Sequence, residues 1–595
     1  MAIIHLSGTR LAPQKPKAPL NRRFMYAIGF VFLIASHFYI ANLGGLGLAL
    51  PFNNATWFGL SWVFAIGIYQ MALSKQIRYS KLTIGLLISC LIISIPLFFS
   101  SPPNLPSVLP RIAGLWLGWL LFVILQQFSL SNAHKQRLLW FIILAVCIEA
   151  LLAYVQFFVL NHQAIITLDD SLKQPFGIFQ NINAMSSFLA TGLVLSGYLL
   201  ARQQRKYGEK LSRTALLYIM PLITVPLITL LASRIGWIIS LVSVLLIVPY
   251  LYRFSTKKRF IGWSFALLAG ICLGGILAFS SGNLSSLSGE KPIESARLTV
   301  LPQAIDMFIE KPFTGYGLGQ FESEYLLYTA RQHQLNSNYP VAIEDVTHPF
   351  NEVLFWGIEG GLIPVIGIIL AALFVLFKIS STRKGTRLAI LSLLMPIALH
   401  AQLENPFYQS SIHWITFIVL IFWVDQRTAK YKHYGIRTTS VHFFKVTSVI
   451  LPILLISYMT LSLHTNYQLK QFAQSYPKRM ELLDNIIYSG TFKQEVNWQI
   501  HSNQLKNGLV NKQLDKVVGY IEWSLDSIQQ TPSSKLYKSL ILAYLGVGEV
   551  SKAEQIRDEA SYLYPQQDFS VIHIDPVFNI QPADKNKDNS VDKKA

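Results

Sequence analysis

Long apolar stretches alternate with short polar segments along most of this 595-residue chain. Each stretch holds about 18 to 25 residues, the length that a helix needs to cross about 30 Å of hydrocarbon. We count thirteen stretches, centred near residues 33, 65, 91, 120, 150, 192, 223, 243, 270, 364, 395, 418 and 455. The pattern predicts an all-α polytopic membrane protein with about 13 transmembrane helices, within a range of about 12 to 14.

The basic residues are distributed unevenly among the polar segments. If the N-terminus is cytoplasmic, 28 of the 50 lysines and arginines lie on the cytoplasmic side, seven on the outward side and 15 after the last span. Cytoplasmic loops of membrane proteins carry such an excess, so the asymmetry predicts thirteen spans with the C-terminus outside. The 28 residues are Arg10, Lys15, Lys17, Arg22, Arg23, Lys75, Arg78, Lys81, Lys135, Arg137, Arg202, Arg205, Lys206, Lys210, Arg213, Arg253, Lys257, Lys258, Arg259, Lys378, Arg383, Lys384, Arg387, Arg427, Lys430, Lys432, Arg437 and Lys445.

Composition agrees with a membrane protein. The chain has 52% hydrophobic and 14% charged residues, with a mean hydropathy of +0.40, which is too apolar for a soluble protein of this size. The net charge of +19 is mostly explained by the topology, so nucleic-acid binding is the weaker explanation and we expect no nucleic-acid partner.

The apolar and polar segments divide the chain into six predicted regions. They are a cytoplasmic basic N-terminus (1–23), transmembrane helices 1–9 (24–279), a large outward loop (280–348), transmembrane helices 10–13 (349–464), an outward helical domain (465–570) and a disordered tail (571–595). Within the helical domain, six residues have the spacing of a tetratricopeptide helix pair: Tyr537, Leu540, Tyr544, Ala553, Ala560 and Pro565. An ordinary helical hairpin accounts for one such pair equally well.

The outward loop ends in the sequence His348-Pro349-Phe350-Asn351-Glu352, immediately before an apolar run. Glu359 lies inside that run. Ionisable groups at or within a membrane are costly, so they indicate function by default. Imidazole titrates near neutral pH and therefore suits a general base.

Two arginines occupy positions suited to anion binding. Arg234 follows Ser233 on the outward side, where it is either a membrane-surface anchor or a phosphate ligand. Arg297 opens an amphipathic segment that leads to a glycine-rich stretch, residues 312–319. That stretch has neither the preceding strand nor the following lysine of a nucleotide-binding loop, so it predicts a glycine-rich turn.

Further polar groups lie near the outward ends of the sixth and eleventh spans. Asn181 and Asn183 can bind sugar hydroxyls or cap a helix. His400 and Glu404 are four residues apart and share one helical face, so they form either a mutually satisfied pair or a support for catalytic groups. Glu149 lies in mid-span, where an interhelical hydrogen bond is its expected role.

In combination, these residues resemble the O-antigen ligase and polymerase superfamily. The resemblance rests on Gly177, Asn181, Asn183, Ser233-Arg234, Arg297, Pro312, Gly315-Tyr316-Gly317, His348-Pro349-Phe350-Asn351-Glu352, Glu359 and Gly361. The segment 400–408 and the long outward tail are similar to those of its protein-modifying branch, the bacterial O-linked oligosaccharyltransferases that glycosylate pilins and other periplasmic proteins.

The resemblance implies a multi-pass enzyme of the bacterial inner membrane, with its loop, tail and active site in the periplasm. It would move a glycan en bloc from undecaprenyl diphosphate to a Ser or Thr hydroxyl of an acceptor protein such as a type IV pilin, without metal or other cofactor. By resemblance, His348 would be the general base, with Asn351 and Glu352 orienting it. Arg234 and Arg297 would bind the diphosphate, and sugar-binding or supporting roles would fall to Asn181, Asn183, Glu359, His400 and Glu404.

Two alternatives remain open at this stage. Many relatives have a histidine directly before the asparagine, where this chain has Phe350, so His400 is the alternative base. An O-antigen ligase or polymerase acting on lipid A core or repeat units would use the same residues. A transporter of lipid-linked sugar is less compatible, because the polar groups cluster on one predicted face rather than at mid-membrane.

Overall fold

The structure is a computed structural model, and it describes residues 19–99, 105–159, 175–203, 211–280, 292–575 and 577–578. Most of the predicted basic N-terminus and disordered tail, and the start of the predicted outward loop, lie outside these residues. The chain forms two compact units. The first lies within Met1–Ser94, Leu109–Glu290 and Ile366–Lys470, and the second within Ile95–Val108, Lys291–Val365 and Gln471–Ala595.

The described residues are predominantly α-helical. The helices up to the end of the last predicted span are α1 (Asn21–Leu33), α2 (Pro51–Ser74), α3 (Lys81–Ser94), α4 (Leu105–Gln126), α5 (Asn132–Phe158), α6 (Ile182–Arg202), α7 (Leu211–Leu230), α8 (Arg234–Phe254), α9 (Lys257–Ser280), α10 (Pro292–Glu310), α11 (Phe321–Leu335), α12 (Glu352–Gly360), α13 (Leu362–Ser380), α14 (Arg387–Leu403), α15 (Pro406–Gln409), α16 (Ser411–Asp425) and α17 (Thr438–Gln474). The C-terminal helices are α18 (Glu481–Asp484), α19 (Lys493–Val510), α20 (Leu514–Gln530), α21 (Ser534–Val547) and α22 (Val550–Leu563).

Eleven helical segments of the described chain are long and apolar enough to cross a membrane. They are α2, α3 with the 3-10 helix Ile95–Phe98 that extends it, α4 to α9, α13, α14 with the 3-10 helix Lys384–Thr386 that precedes it, and α17. The first and twelfth predicted spans correspond to shorter helices, α1 with 13 residues and α16 with 15. The prediction of an all-α polytopic membrane protein is therefore confirmed. The count of thirteen spans stays a prediction, since two of the thirteen helices are shorter than a full crossing requires.

Helix α6 is the central helix of the first unit. Its apolar window is entirely buried, and it packs against α5, α7, α8 and α14. Small residues permit this close approach: a Cβ added at Gly192 would lie 2.5 Å from Val146 Cγ1. The hydroxyls of Ser186 and Thr191 each donate to a carbonyl one turn earlier, at 2.8 Å. These bonds satisfy polar groups that would otherwise be costly to bury in an apolar bundle.

A short antiparallel ribbon joins two loops of the first unit, on the side that the charge pattern predicts to be cytoplasmic. Strand β1 (Gln76–Tyr79) pairs with β2 (Lys432–Gly435), with Ile77 opposite Tyr434. The Gln127 side chain donates to the Arg78 carbonyl at 2.8 Å and accepts from its N–H at 2.9 Å. The free edge of β1 is thereby paired with a side-chain amide.

The second unit contains helices from two distant parts of the sequence. Leu326 and Ala330 of α11 belong to the same buried cluster as Tyr537, Leu540 and other residues of α19 to α22. Ser534 donates to Glu344 at 2.9 Å. The predicted outward loop and the C-terminal domain therefore share one hydrophobic core, although the sequence treats them as separate regions.

The helix pair predicted near residues 537–565 is present as α21 and α22. Tyr537, Leu540, Ala553 and Ala560 are all fully buried, and α21 ends at Gly548, whose φ is +85°. Glycine at this left-handed position allows the sharp turn between the helices. The helical hairpin is thus established, and its kinship to a tetratricopeptide repeat stays a prediction.

Candidate functional site

A continuous network of polar side chains is buried in the first unit around the outward ends of α6 and α14. His400 and His413 are fully buried, and Glu404 is 4% exposed. His400 Nε2 lies 3.1 Å from Glu404 Oε2, and its Nδ1 lies 2.8 Å from the Ser187 hydroxyl. That hydroxyl lies 3.0 Å from His413 Nε2, and His413 Nδ1 lies 2.8 Å from Ser410 Oγ.

The hydrogen-bond directions of this network are consistent when both imidazoles are neutral. Glu404 can only accept from His400 Nε2–H, so Nδ1 is left to accept from the Ser187 hydroxyl. His413 Nε2–H then donates to Ser187 Oγ and to the Ala184 carbonyl, which lies at 3.1 Å, while its Nδ1 accepts from Ser410. The Ser187 hydroxyl also lies 3.0 Å from the Ala184 carbonyl, so its one hydrogen is shared between that oxygen and His400 Nδ1. Both nitrogens of each imidazole are engaged.

A second arm reaches Glu404 from α8. The Asn183 amide donates to Glu404 Oε1 at 2.5 Å. The Ser233 hydroxyl donates to Asn183 Oδ1 at 2.5 Å and accepts from the N–H of Gly236 at 2.9 Å. Ser233 is therefore the N-cap of α8, and the next residue, the exposed Arg234, begins this helix. The network thus connects the buried histidines to the residue that sets the position of Arg234.

The predicted amides divide between two roles. Asn181 is the N-cap of α6, where its side chain accepts from the N–H groups of Asn183 and Ala184 at 2.7 and 2.9 Å. Capping of this kind stabilises a helix by about 1 kcal/mol. Asn183, only 8% exposed, serves instead as the bridge between Ser233 and Glu404.

Glu149 fixes the turn that precedes α6. Its carboxylate lies 2.5 Å from His37 Nδ1 and accepts from the Ile178 N–H at 3.1 Å. Gly177 has a φ of +62°, and a Cβ there would lie 2.7 Å from Glu149 Oε2. Gln156 binds both the N–H and the carbonyl of Gly177 at 2.9 Å. Glu149 therefore makes a hydrogen bond from α5 to another helical segment, as expected, through His37. Its carboxylate also leaves no room for a Cβ at position 177, which explains the glycine there.

In the second unit, the side chains of His348 and Arg297 both contact the ring of Phe350. The His348 and Phe350 rings have centroids 4.9 Å apart and meet edge to face. The Arg297 guanidinium carbon lies 5.2 Å from the Phe350 ring centroid, a cation–π distance. Phe350, at the position where the sequence departs from many relatives, thus contacts both the predicted base and a predicted phosphate ligand.

The geometry also bears on which His348 nitrogen can take a proton. The backbone N–H of Phe350 donates to His348 Nδ1 at 3.3 Å, which makes Nδ1 the nitrogen with a lone pair in the neutral ring. This bond is long, so it is weak. Phe350 adopts a φ of +54°, an uncommon conformation for a bulky residue. Such strain commonly occurs at functional sites.

The residues that follow His348 begin a short helix. Asn351 is the N-cap of α12, and its side chain accepts from the Leu354 N–H at 2.9 Å. Glu352 is the first residue of α12 and is 9% exposed, and Glu359 near its end is 1% exposed. Asn351 therefore has a structural role in orienting the start of α12, immediately after the His348 turn.

The glycine-rich stretch packs directly against the end of α12. The N–H groups of Tyr316 and Gly317 donate to the carbonyls of Ile358 and Glu359 at 2.8 and 3.0 Å. A Cβ added at Gly315, whose φ is +67°, would lie 2.5 Å from the Glu359 carbonyl oxygen. The predicted glycine-rich turn is present, and its glycines are required because backbone meets backbone there.

Two family comparisons and one relative bear on this arrangement. The family described as O-Antigen ligase matches residues 219–369, and the family described as virulence factor membrane-bound polymerase, C-terminal, matches residues 388–575. These matches support a place in the O-antigen ligase superfamily. A protein of Acinetobacter baylyi named "General O-oligosaccharyltransferase" is 28% identical over 221 residues. That match spans 35% of this chain and 37% of the relative, well under two thirds of its length.

The two family matches cover most of the residues predicted for the site. The O-antigen ligase match includes Arg234, Arg297 and His348, and the polymerase match includes His400 and Glu404. Asn181 and Asn183 precede both matches.

Ser187 and His413 were missed by sequence reasoning. Ser187 is one of several serines and threonines in α6, and most of those bond only to their own helix. His413 offered a signal, because a histidine inside an apolar helix is itself a functional indication. In the structure, this histidine completes the buried network through Ser187 and Ser410.

Proposed function

We propose that this protein is an O-linked oligosaccharyltransferase. It would transfer a glycan from undecaprenyl diphosphate to a Ser or Thr hydroxyl of a periplasmic protein such as a type IV pilin. The name of the Acinetobacter relative supports this activity. The bacterial inner membrane is the expected location, with the reaction on the periplasmic side.

The observation that carries the proposal is the contact of both His348 and Arg297 with one aromatic residue, Phe350. A guanidinium binds phosphate oxygens through its planar fork and would stabilise charge on a diphosphate leaving group. An imidazole within the same cluster would accept the hydroxyl proton of the acceptor. Arg234, at the start of α8, is the second proposed diphosphate ligand.

His348 Nδ1 is the atom that we propose as the base. It carries the lone pair in the neutral ring, and the weak 3.3 Å bond from Phe350 N–H is easily displaced by a substrate hydroxyl. His400 is less suitable because both of its nitrogens are hydrogen-bonded and its ring is fully buried. We assign His400, Glu404 and Asn183 to positioning of the start of α8, and Asn351 and Glu352 to orienting the His348 turn.

A second candidate is transfer to a glycan or to lipid A core, as in an O-antigen ligase or polymerase. The polymerase-family match over residues 388–575 favours it. Both functions would use the same base and the same arginines. They differ only in the acceptor, so an acceptor assay is the deciding measurement.

The test is co-expression of the full chain with a lipid-linked glycan and candidate pilins, followed by intact-mass measurement of the pilin. We expect a glycan-sized mass gain that disappears with His348→Ala and persists with His433→Ala, a histidine in the exposed strand β2. Full glycosylation by His348→Ala would refute the assignment of the base. Glycan attached to lipid A core, with unmodified pilin, would favour the second candidate.

A further inference from the structure

The opposite end of α6, which the charge pattern predicts to be cytoplasmic, contains a second polar cluster that glycan transfer does not use. At its centre is the hydroxyl of Tyr198, a residue only 1% exposed. Trp423 Nε1–H donates to this oxygen at 2.9 Å. Arg427 Nη2 donates to it at 2.6 Å and Arg202 Nη1 at 3.3 Å.

Three donors thus converge on one phenolic oxygen. A tyrosine hydroxyl has two lone pairs and can accept at most two such bonds. The bond from Arg202 is the longest and therefore the weakest of the three. Arg202 also hydrogen-bonds Tyr250, but a guanidinium carries five N–H donors, so other N–H groups of Arg202 are available to a further acceptor.

The two guanidiniums also share one aromatic ring. The Cζ atoms of Arg202 and Arg427 lie 5.4 and 4.7 Å from the Trp423 ring centroid. Stacking on an indole stabilises each cation, but it also brings two positive charges close together. Burial lowers the pKa of Arg427 below its usual value, and the charge of Arg202 lowers it further.

The charge of this cluster is not balanced by acidic side chains in the described parts of the chain. Neither Arg202 nor Arg427 forms an ion pair with a carboxylate there, and the neighbouring Asp425 is paired with Lys378 at 3.1 Å. A third arginine, Arg259, is 8% exposed and donates to the Gln203 carbonyl that follows α6, at 2.7 Å. Topology requires basic residues on this side, but it does not require two of them to converge on a buried hydroxyl.

We propose that Arg202 and Arg427 form a phosphate-binding site at the cytoplasmic end of α6. A phosphate oxygen would accept the guanidinium N–H groups that Tyr198 cannot satisfy, and its charge would neutralise the repulsion between them. The ligand chemistry is a phosphate anion, carried either by an acidic phospholipid headgroup or by a soluble phosphate. The site is independent of the proposed glycan transfer.

The experiment uses the purified full chain in detergent and has two arms. Native mass spectrometry counts the phosphatidylglycerol molecules retained, and thermal denaturation measures stabilisation by inorganic phosphate. The test variant is Arg202→Gln with Arg427→Gln. The matched control is Arg253→Gln, because Arg253 is exposed and lies in the last turn of α8, on the side that the charge pattern predicts to be cytoplasmic. Because the glutamine pair removes buried charge, Arg202→Lys with Arg427→Lys serves as the second variant.

We expect the glutamine pair to lose one retained phosphatidylglycerol and to weaken binding about tenfold or more, since charge-assisted hydrogen bonds contribute about 1.5–3 kcal/mol each. The lysine pair keeps the positive charge but loses the planar, two-pronged guanidinium N–H groups, so it should bind phosphate more weakly than the wild type. If the paired variants lose only the retained phosphatidylglycerol, the ligand is a lipid headgroup. If they lose the stabilisation by inorganic phosphate, the ligand is a soluble phosphate. Wild-type binding by both paired variants in both arms, or equal loss in the Arg253→Gln control, would overturn the proposal.

Discussion

The side-chain amide of Asn183 donates a hydrogen bond of 2.5 Å to Glu404, 221 residues later in the chain. This bond connects the start of α6 with the end of α14. Through Ser233 it also reaches the N-cap of α8. The position of Arg234 is consequently linked to a carboxylate that is almost completely buried.

Glu404→Gln should destabilise the first unit. A glutamine would place an amide donor opposite either Asn183 or His400 and leave one buried donor unsatisfied, which costs about 1–3 kcal/mol. Thermal denaturation in detergent would measure the loss. The control, Glu554→Gln on the exposed face of α22, should keep the wild-type midpoint, and an unchanged midpoint in Glu404→Gln would contradict the hydrogen-bond directions given above.

Phe350→Leu should weaken donor binding while retaining an apolar side chain next to His348. The change removes the cation–π contact with Arg297, which stabilises by about 0.5–2 kcal/mol. We expect a higher KM for the lipid-linked donor, with a smaller effect on kcat. Phe313→Leu, an exposed phenylalanine of the same unit, is the control. An equal KM in wild type and Phe350→Leu would show that the stacking does not support donor binding.

The pH dependence of the second unit should reflect Glu322 in α11. Burial raises the pKa of this carboxyl to about 7, and the charge of Asp345 adds to the effect. The unfolded chain releases the proton near its usual pKa of about 4.3. Between those values the folded state binds more protons, so its free energy of unfolding falls as pH rises towards 7.

Hydrogen exchange across α11 at about pH 6 and about pH 8 would measure this dependence. After correction for the intrinsic rise of amide exchange with pH, we expect lower protection at the higher pH in the wild type, and a smaller difference in Glu322→Gln, which cannot ionise. Asp515→Asn at an exposed position of α20 should behave like the wild type. Equal protection of wild-type α11 at both values would contradict the raised pKa.

Gly315→Ala should disturb the end of α12. The new Cβ would lie 2.5 Å from the Glu359 carbonyl oxygen at a φ of +67°, and such strain costs about 1–3 kcal/mol. Hydrogen exchange in α12 reports the effect. Gly519→Ala, in α20 with open space around it, should be neutral or stabilising by about 0.5–1 kcal/mol, and similar exchange in both variants would argue against the steric explanation.

The hydrophobic pattern was sufficient to predict the membrane helices, because a span must satisfy its backbone internally and must therefore be both helical and apolar. It also located Arg234, His348 and Glu404 near helix ends. It could not show that His400 pairs with Ser187, since that contact joins residues 213 positions apart. Hydropathy contains no information about which helices are neighbours.

The role of Phe350 illustrates the same limit. From the sequence it was only a departure from the expected histidine. In the structure its ring contacts both His348 and Arg297. The position of polar residues in the sequence could not predict these contacts, because they are made by an apolar side chain. Aromatic contacts of this kind depend on backbone geometry, here a left-handed φ.

The shared core of the second unit has a consequence for biosynthesis. Leu326 is made more than two hundred residues before its buried partners Tyr537 and Leu540. Until α21 has been synthesised, α11 therefore lacks the apolar surface of the C-terminal helices that covers it. Translation that stops before α21 would leave this helix uncovered, so the core that α11 begins is completed only after every membrane helix has been made.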